Sequence, residues 1–382
     1  MKSLREKITA MLAQNALSFS DIHIGVGKVL RVRIPRGVVP VDEDVVTKDQ
    51  LLTFLSEFGP SSMEEWQDRI DSNGGQYGAR FQIGDTQVRA ALFNSGGDVG
   101  RNRQWSLALR VLPKAIPVFS DLGLPEAALE LFKRESGLVI VTGITGSGKS
   151  TTMAAAIDHL NANFNHRIIT LEDPMEYIHQ DQKSMITQRQ LVSDFSSFAV
   201  GVKQAMREDP NIIVVGEVND LESMKGAMSA ALSGHLVITS MHTLNAFETV
   251  NRIIDLYPPD EKAAVRSMIA QVLVGVVSQK LLPSTDGKRY HLAHEIMGMN
   301  DAIRTSIRDD KLQMIPNEID KRKPLMHVLN SSLAQLVDSD KVSLEVAKAA
   351  SYKPEQLDLY LGLSLEEELD VLPTLKGGAS YS

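Results

Sequence analysis

The residues best equipped for chemistry lie together in Gly143-Ile144-Thr145-Gly146-Ser147-Gly148-Lys149-Ser150. Glycines here let the backbone curl until successive N–H groups face one point, an arrangement that suits an anion. A cation and a hydroxyl follow at once. Lys149 is long enough to reach the β- and γ-phosphates of a nucleotide, and the Ser150 hydroxyl can ligate Mg2+. The apolar, β-branched run Leu138-Val139-Ile140-Val141-Thr142 comes before the loop and reads as a buried parallel strand. Thr151 through Ile157 is helix-compatible, so the positive end of a helix is aimed at the same anion. Gly143, Thr145, Gly146, Ser147, Gly148, Lys149, Ser150 and Thr151 are therefore the expected nucleotide-binding residues, with ATP and Mg2+ as ligands.

Hydrolysis of ATP also needs an oriented water, a group that steers or accepts its proton, and further positive charge on the γ-phosphoryl group. Candidates follow the other apolar runs. Glu172, Asp173 and Glu176 come after 167–171, Glu217 after 211–215, and His242 after 236–240. Glu217 is the first candidate for polarising water and, with Ser150, for the metal. Glu172 is the second, and geometry alone decides between them. His242 is placed to hydrogen-bond the γ-phosphate and report its loss, whereas His235 reads as a packing residue.

These groups converge only if the strands are neighbours. The runs 138–142, 167–171, 211–215 and 236–240 alternate with helical segments, which implies a mostly parallel sheet flanked by helices. Functional groups then gather at the carboxyl ends of its strands. Ahead of it, residues 1–112 read as a separate α+β domain: a helix over 2–16, strands at 21–24, 29–34, 86–93 and 107–112, and a helix capped by Thr47. Pro113 and Pro117 fall in a stiff linker, 113–120; the α/β domain spans 121–352, mainly helical after Asp260, and the tail 353–382 is expected to end in disorder.

Composition narrows the class. The chain has 382 residues, 43% hydrophobic and 23% charged, as in ordinary globular proteins. A net charge of −8 argues against direct nucleic-acid binding. Without cysteine there is no disulfide and no thiolate-held zinc. No apolar run spans a bilayer and the N-terminus is not of signal type, so a cytoplasmic protein is expected, attached to a membrane only through partners. A GTPase needs an Asn-Lys-x-Asp motif, and no Asn-Lys pair occurs. A RecA-type nucleic-acid motor and a nucleotide-gated scaffold are the rival readings.

Four segments resemble, in order, the Walker A, Asp, Walker B and His boxes of the type II/type IV secretion and pilus motor ATPases. They are GITGSGKS at 143–150, ITLEDPMEYIH at 169–179, DPNIIVVGEVND at 209–220 and SGHLVITSMHT at 233–243. The resemblance extends to Ser20–Ile24 and Gln279–Pro283, and covers residues 15 to 315. It implies a PAS-like N-terminal domain, a RecA-like ATPase domain, and a homo-hexameric ring working with platform proteins at the cytoplasmic face of the inner membrane. It also implies that Glu217 and Glu172 act on the attacking water. N-domain arginines would reach bound nucleotide, and Arg89, Arg103 and Arg110 match by context, with Arg101 competing for the place of Arg103. Ala302–Arg308 resembles the signature of pilus-retraction (PilT-like) motors, but Asn219 stands where those motors carry arginine. The expected branch is therefore the DotB-like motors of type IVB secretion and conjugation, with pilus retraction as the alternative.

Overall fold

A computed structural model describes residues 3–15, 19–34, 37–95, 104–112, 115–321 and 325–361. Arg101, Arg103 and the end of the tail lie outside the described residues. The chain divides into two compact units. The first comprises Met1–Pro117, Pro174–His179 and Asp286–Tyr290; the second comprises Val118–Asp173, Gln180–Thr285 and His291–Ser382.

In the first unit, β1 (Asp21–Gly25), β2 (Val29–Ile34), β3 (Gly37–Val45), β4 (Gln76–Ile83), β5 (Thr86–Ser95) and β6 (Gln104–Val111) form an antiparallel sheet in the order β3-β2-β1-β6-β5-β4. Residues alternate as a half-buried strand requires: Val88, Ala90 and Leu92 are buried while Gln87 and Arg89 are exposed. The buried face packs on the helices Leu4–Asn15, Lys48–Leu55 and Met63–Ser72 through Ile8, Leu51, Phe54 and Trp66. Thr47 caps the second helix in a reciprocal pair with Gln50, as its sequence predicts. Register sets Arg33 opposite Asp21, Asp21 opposite Arg110, Arg110 opposite Arg89, and Arg89 opposite Arg80. Cross-strand partners share a face, so four arginines and one aspartate stand in a row.

The second unit is built on β7 (Gly137–Thr142), β8 (Arg167–Glu172), β9 (Met185–Gln190), β10 (Ile212–Val215), β11 (Leu236–Met241), β12 (Leu273–Pro283), β13 (Tyr290–Gly298) and β14 (Met326–His327), in the order β14-β13-β12-β7-β11-β10-β8-β9. From β12 to β9 every pairing is parallel. The four strands read from sequence occupy its centre, and β7, β10 and β11 are buried throughout.

The C-terminal part departs from the expectation of a mainly helical segment after Asp260. The helix Lys262–Val272 runs straight into β12, which pairs with β7 from Leu273↔Leu138 to Ser278↔Thr142. Buried on both faces, the β12 run lacks the two-residue alternation that separates a strand from a buried helix in sequence. The helices Asp301–Arg308, Leu329–Asp338, Leu344–Ala350 and Pro354–Tyr360 complete this part.

Candidate active site

β7 ends at Thr142, and the chain turns through positive φ at Gly143 (146°), Gly146 (80°) and Gly148 (87°), backbone that side chains other than hydrogen rarely adopt. At Gly143 space is as decisive as conformation, because a Cβ there would lie 2.4 Å from the Gln279 carbonyl oxygen and 2.5 Å from Ser147 Oγ. The helix Lys149–Asn163 begins at once, and no side chain caps it. Its first N–H groups are thus available to an anion. Ser150 lies in this first turn and is half-buried, with Thr151 beside it; Thr145 and Gly146 are exposed on the loop.

Lys149 is buried, and its Nζ donates to the carbonyls of Gly143 (2.8 Å) and Ile144 (3.2 Å). It also approaches His242 Nδ1 at 3.5 Å, while His242 Nε2 lies 3.2 Å from Glu217 Oε2. Lys149, His242 and Glu217 therefore form one line from the glycine loop to the end of β10. Glu217 and His242 keep roughly two-fifths of their side-chain surface exposed (42% and 41%), open enough to meet a ligand. Parallel pairing makes this line. β11 lies between β7 and β10, so residues following β11 fall between the ends of the other two.

Glu172 ends β8, one strand further out. Its Oε1 accepts from Thr170 Oγ1 (2.6 Å) and Gln188 Nε2 (3.0 Å). Gly216 brings the two carboxylate-bearing ends together: its N–H donates to Leu171 O at 2.7 Å, and a Cβ on it would meet Glu172 Cα at 3.4 Å. His235 bonds Ala230 O through Nδ1 at 3.0 Å, a packing contact.

Two supports have no counterpart among the site residues read from sequence. Thr142 Oγ1 accepts from Thr243 N at 3.1 Å and donates to Thr243 O at 2.7 Å, tying the end of β7 to the loop after His242. Gln279, only 1% exposed, donates from Nε2 to Ser147 O at 2.7 Å. The available signal for Gln279 was the family-like segment Gln279–Pro283, which begins with this amide. A third set holds the loop from outside. Lys280 Nζ lies 4.0 Å over the Tyr352 ring and donates to Ala350 O at 2.7 Å, and the Tyr352 hydroxyl donates to Leu244 O.

Arg89 and Arg110 belong to the row of the first unit. Arg110 Nε donates to Asp21 Oδ1 at 2.9 Å, with half its side chain exposed.

A glycine loop between a parallel strand and an uncapped helix, with carboxylates and a histidine at adjacent strand ends, defines a P-loop nucleotide hydrolase. The profile of the type II/IV secretion system proteins matches residues 7–356. The chain is 35% identical over 356 residues to the type IV pilus retraction ATPase PilT of Pseudomonas aeruginosa, covering 91% of this chain and 99% of that protein. It is 36% identical over 299 residues to a twitching motility protein of Neisseria gonorrhoeae, 78% of each. Among solved structures, the pilus retraction motor PilT with bound ADP superposes with a TM-score of 0.79 at 36% identity, covering 94% of this chain and all of that one (100%). The ATPase DotB of Legionella pneumophila reaches 0.80 at 22% identity over 91% and 95% of the two chains, a likeness of fold. The chain belongs to the type II/IV secretion system protein family and is a nucleotide-binding ATPase of the secretion and pilus motor superfamily. Its fold is α/β, with an N-terminal domain followed by a RecA-like ATPase domain.

Proposed function

We propose that this chain is the subunit of a motor of the pilus-retraction kind, hydrolysing ATP at the glycine loop. The Lys149–His242–Glu217 line carries the hydrolytic part of the reading. The motor type is supported by similarity to PilT over nearly the full length of both chains, whereas DotB shares 22% identity. Asn219 supports the second reading, a type IVB secretion motor.

In this reading Lys149 exchanges its loop carbonyls for β- and γ-phosphate oxygens. Backbone N–H groups from Thr145 to Thr151 surround the phosphates. Glu217 orients the attacking water and takes its proton, and Glu172, held by Thr170 and Gln188, shapes the water's other side. His242 follows the γ-phosphate and is released toward Glu217 when it leaves. A Mg2+ ion would be held by the Ser150 hydroxyl in the open first turn and by Glu217, and would supply charge neutralisation to the phosphate oxygens. Arg89, Arg110 and Arg103, the last outside the described residues, supply cations to the nucleotide of a neighbouring subunit in a hexameric ring. The ring works with membrane platform proteins at the cytoplasmic face. No described helix is long and apolar enough to cross a membrane.

Glu217→Gln tests this reading. Phosphate release should fall by about 10²–10⁴-fold, the scale of general-base catalysis, while ATP still binds. Cells carrying the variant should display pili that do not retract. Normal retraction would remove the motor assignment, and normal turnover with a dead Glu172→Gln would reverse the two glutamates.

A further inference from the structure

The glycine loop does not hold its shape alone. A phosphate-binding loop works only if its peptide planes are turned so that N–H groups, and not carbonyls, face the anion. At Ser147–Gly148 the structure shows what turns the plane. The carbonyl of Ser147 receives Gln279 Nε2 at 2.7 Å, from the strand beneath the loop. In a trans peptide the N–H points opposite to the C=O, so fixing Ser147 O toward β12 turns the Gly148 N–H to the other side. A carbonyl can pair only with the NH2 end of the amide, so the orientation of Gln279 is set by chemistry.

Further observations give this contact weight. Gln279 Oε1 and Ser147 Oγ are buried and without a hydrogen-bond partner, in residues only 1% and 2% exposed. An orphaned buried acceptor is costly, so an apolar side chain would serve packing better here. Packing is also tight. A Cβ on Gly148 would lie 3.2 Å from Gln279 Nε2, and the Gln279 backbone carbonyl and Ser147 Oγ together exclude any side chain from Gly143. Register explains the placement: Ser278 pairs with Thr142, so the next residue on β12 lies under the first residue of the loop.

We propose that Gln279 is a positioning residue for nucleotide phosphate binding, acting by orienting the Ser147–Gly148 peptide. It touches no substrate atom in this role. The inference rests on the nucleotide-site reading above, and its test separates the two.

Binding of a fluorescent N-methylanthraniloyl ADP is measured for the full-length wild type, Lys149→Ala, Gln279→Leu and Gln279→Glu, with melting temperatures taken in parallel. Loss of binding in Lys149→Ala but not in wild type upholds the nucleotide site, and no binding by wild type overturns it. Gln279→Leu removes the donor with similar volume and should weaken ADP by on the order of 10-fold or more while remaining folded. Gln279→Glu presents a carboxylate to Ser147 O at about pH 8 and should bind as poorly. On acidification toward about pH 6 the protonated carboxyl donates an O–H in place of the amide, and affinity should return, with wild type unchanged. A residue needed only for packing gives no such recovery. Wild-type affinity in a folded Gln279→Leu overturns the inference, as does a flat pH profile for Gln279→Glu; if Gln279→Leu fails to fold, that profile alone decides.

Discussion

Lys149 is held by two carbonyls of its own loop and faces a histidine that faces a glutamate. In the proposed mechanism phosphate oxygens take the place of those two carbonyls, and His242 stays with the γ-phosphate until it leaves. A second acidic group nearby behaves differently. Burial pushes the Glu295 carboxyl up to about 7 from its ordinary 4.5, against the Ala246 N–H that donates to it at 2.8 Å and the more distant Lys280 ammonium, while Glu248 adds to the rise. A folded value above the unfolded one means that its contribution to stability is complete below about pH 4.5 and is lost as pH rises through about 7. Glu295→Gln should therefore gain on wild type in chemical denaturation between about pH 5 and about pH 8, by on the order of 2 kcal/mol. Parallel pH profiles would show that the carboxyl ionises freely in the folded state.

At the scale of elements, the helix Asp301–Arg308 shows how a motif with a functional look can also be scaffold. Ile303 and Ile307 are fully buried, and Asn300 caps the helix through Ile303 N at 2.9 Å. Arg304 Nη1 donates to Ala270 O and, at 3.3 Å, to Gln271 O, the last carbonyls of the helix that becomes β12. Cations at a helix C-terminus contribute about 0.3–1 kcal/mol, and the hydrogen bonds add to that. Arg304→Ala should lower the melting temperature by a few degrees; an unchanged value would show that these hydrogen bonds add nothing to the fold. The same elements show what sequence could reveal. β7, β8, β10 and β11 were legible because each apolar run ends in polar or glycine residues that mark its carboxyl end. β12 was not, since its apolar run continues the helix Lys262–Val272 with no turn residue between them and nothing marks where a strand begins. With β12 went the role of Gln279: the family resemblance marked the segment Gln279–Pro283, but without a strand beneath the glycine loop nothing aimed its amide there. The arginine row was invisible for another reason: strand 21–25 lies far in sequence from 86–95 and 104–111, and only register sets Asp21 beside Arg110 and Arg110 beside Arg89.

For the whole molecule, the row in the first unit poses the question of assembly. Like charges directly opposite one another destabilise a sheet, and Asp21 is the one acid among Arg33, Arg110, Arg89 and Arg80. In the proposed function this row meets the phosphates of a neighbouring subunit's nucleotide. Transition-state arginines supplied by a neighbour contribute about 10³–10⁵ in rate in P-loop enzymes, far beyond any surface ion pair. Arg110→Ala should thus reduce ATPase turnover by orders of magnitude with little change in melting temperature. Mixed rings of Arg110→Ala and Lys149→Ala subunits should recover part of the activity, since some interfaces then carry both intact halves. No recovery in rings confirmed to be mixed would confine the arginine to its own subunit.

The contact between Lys280, Tyr352 and Leu244 gives the ATPase unit a mechanical property. Gln279 holds the glycine loop from β12, its neighbour Lys280 holds Tyr352, and Tyr352 holds Leu244, two residues beyond His242, which faces Lys149. The contacts close into a circuit that enters the site at both sides and passes outside through the segment leading into the helix Pro354–Tyr360. A displacement of that segment is therefore carried to the glycine loop from two sides at once, through Gln279 beneath it and through His242 beside it.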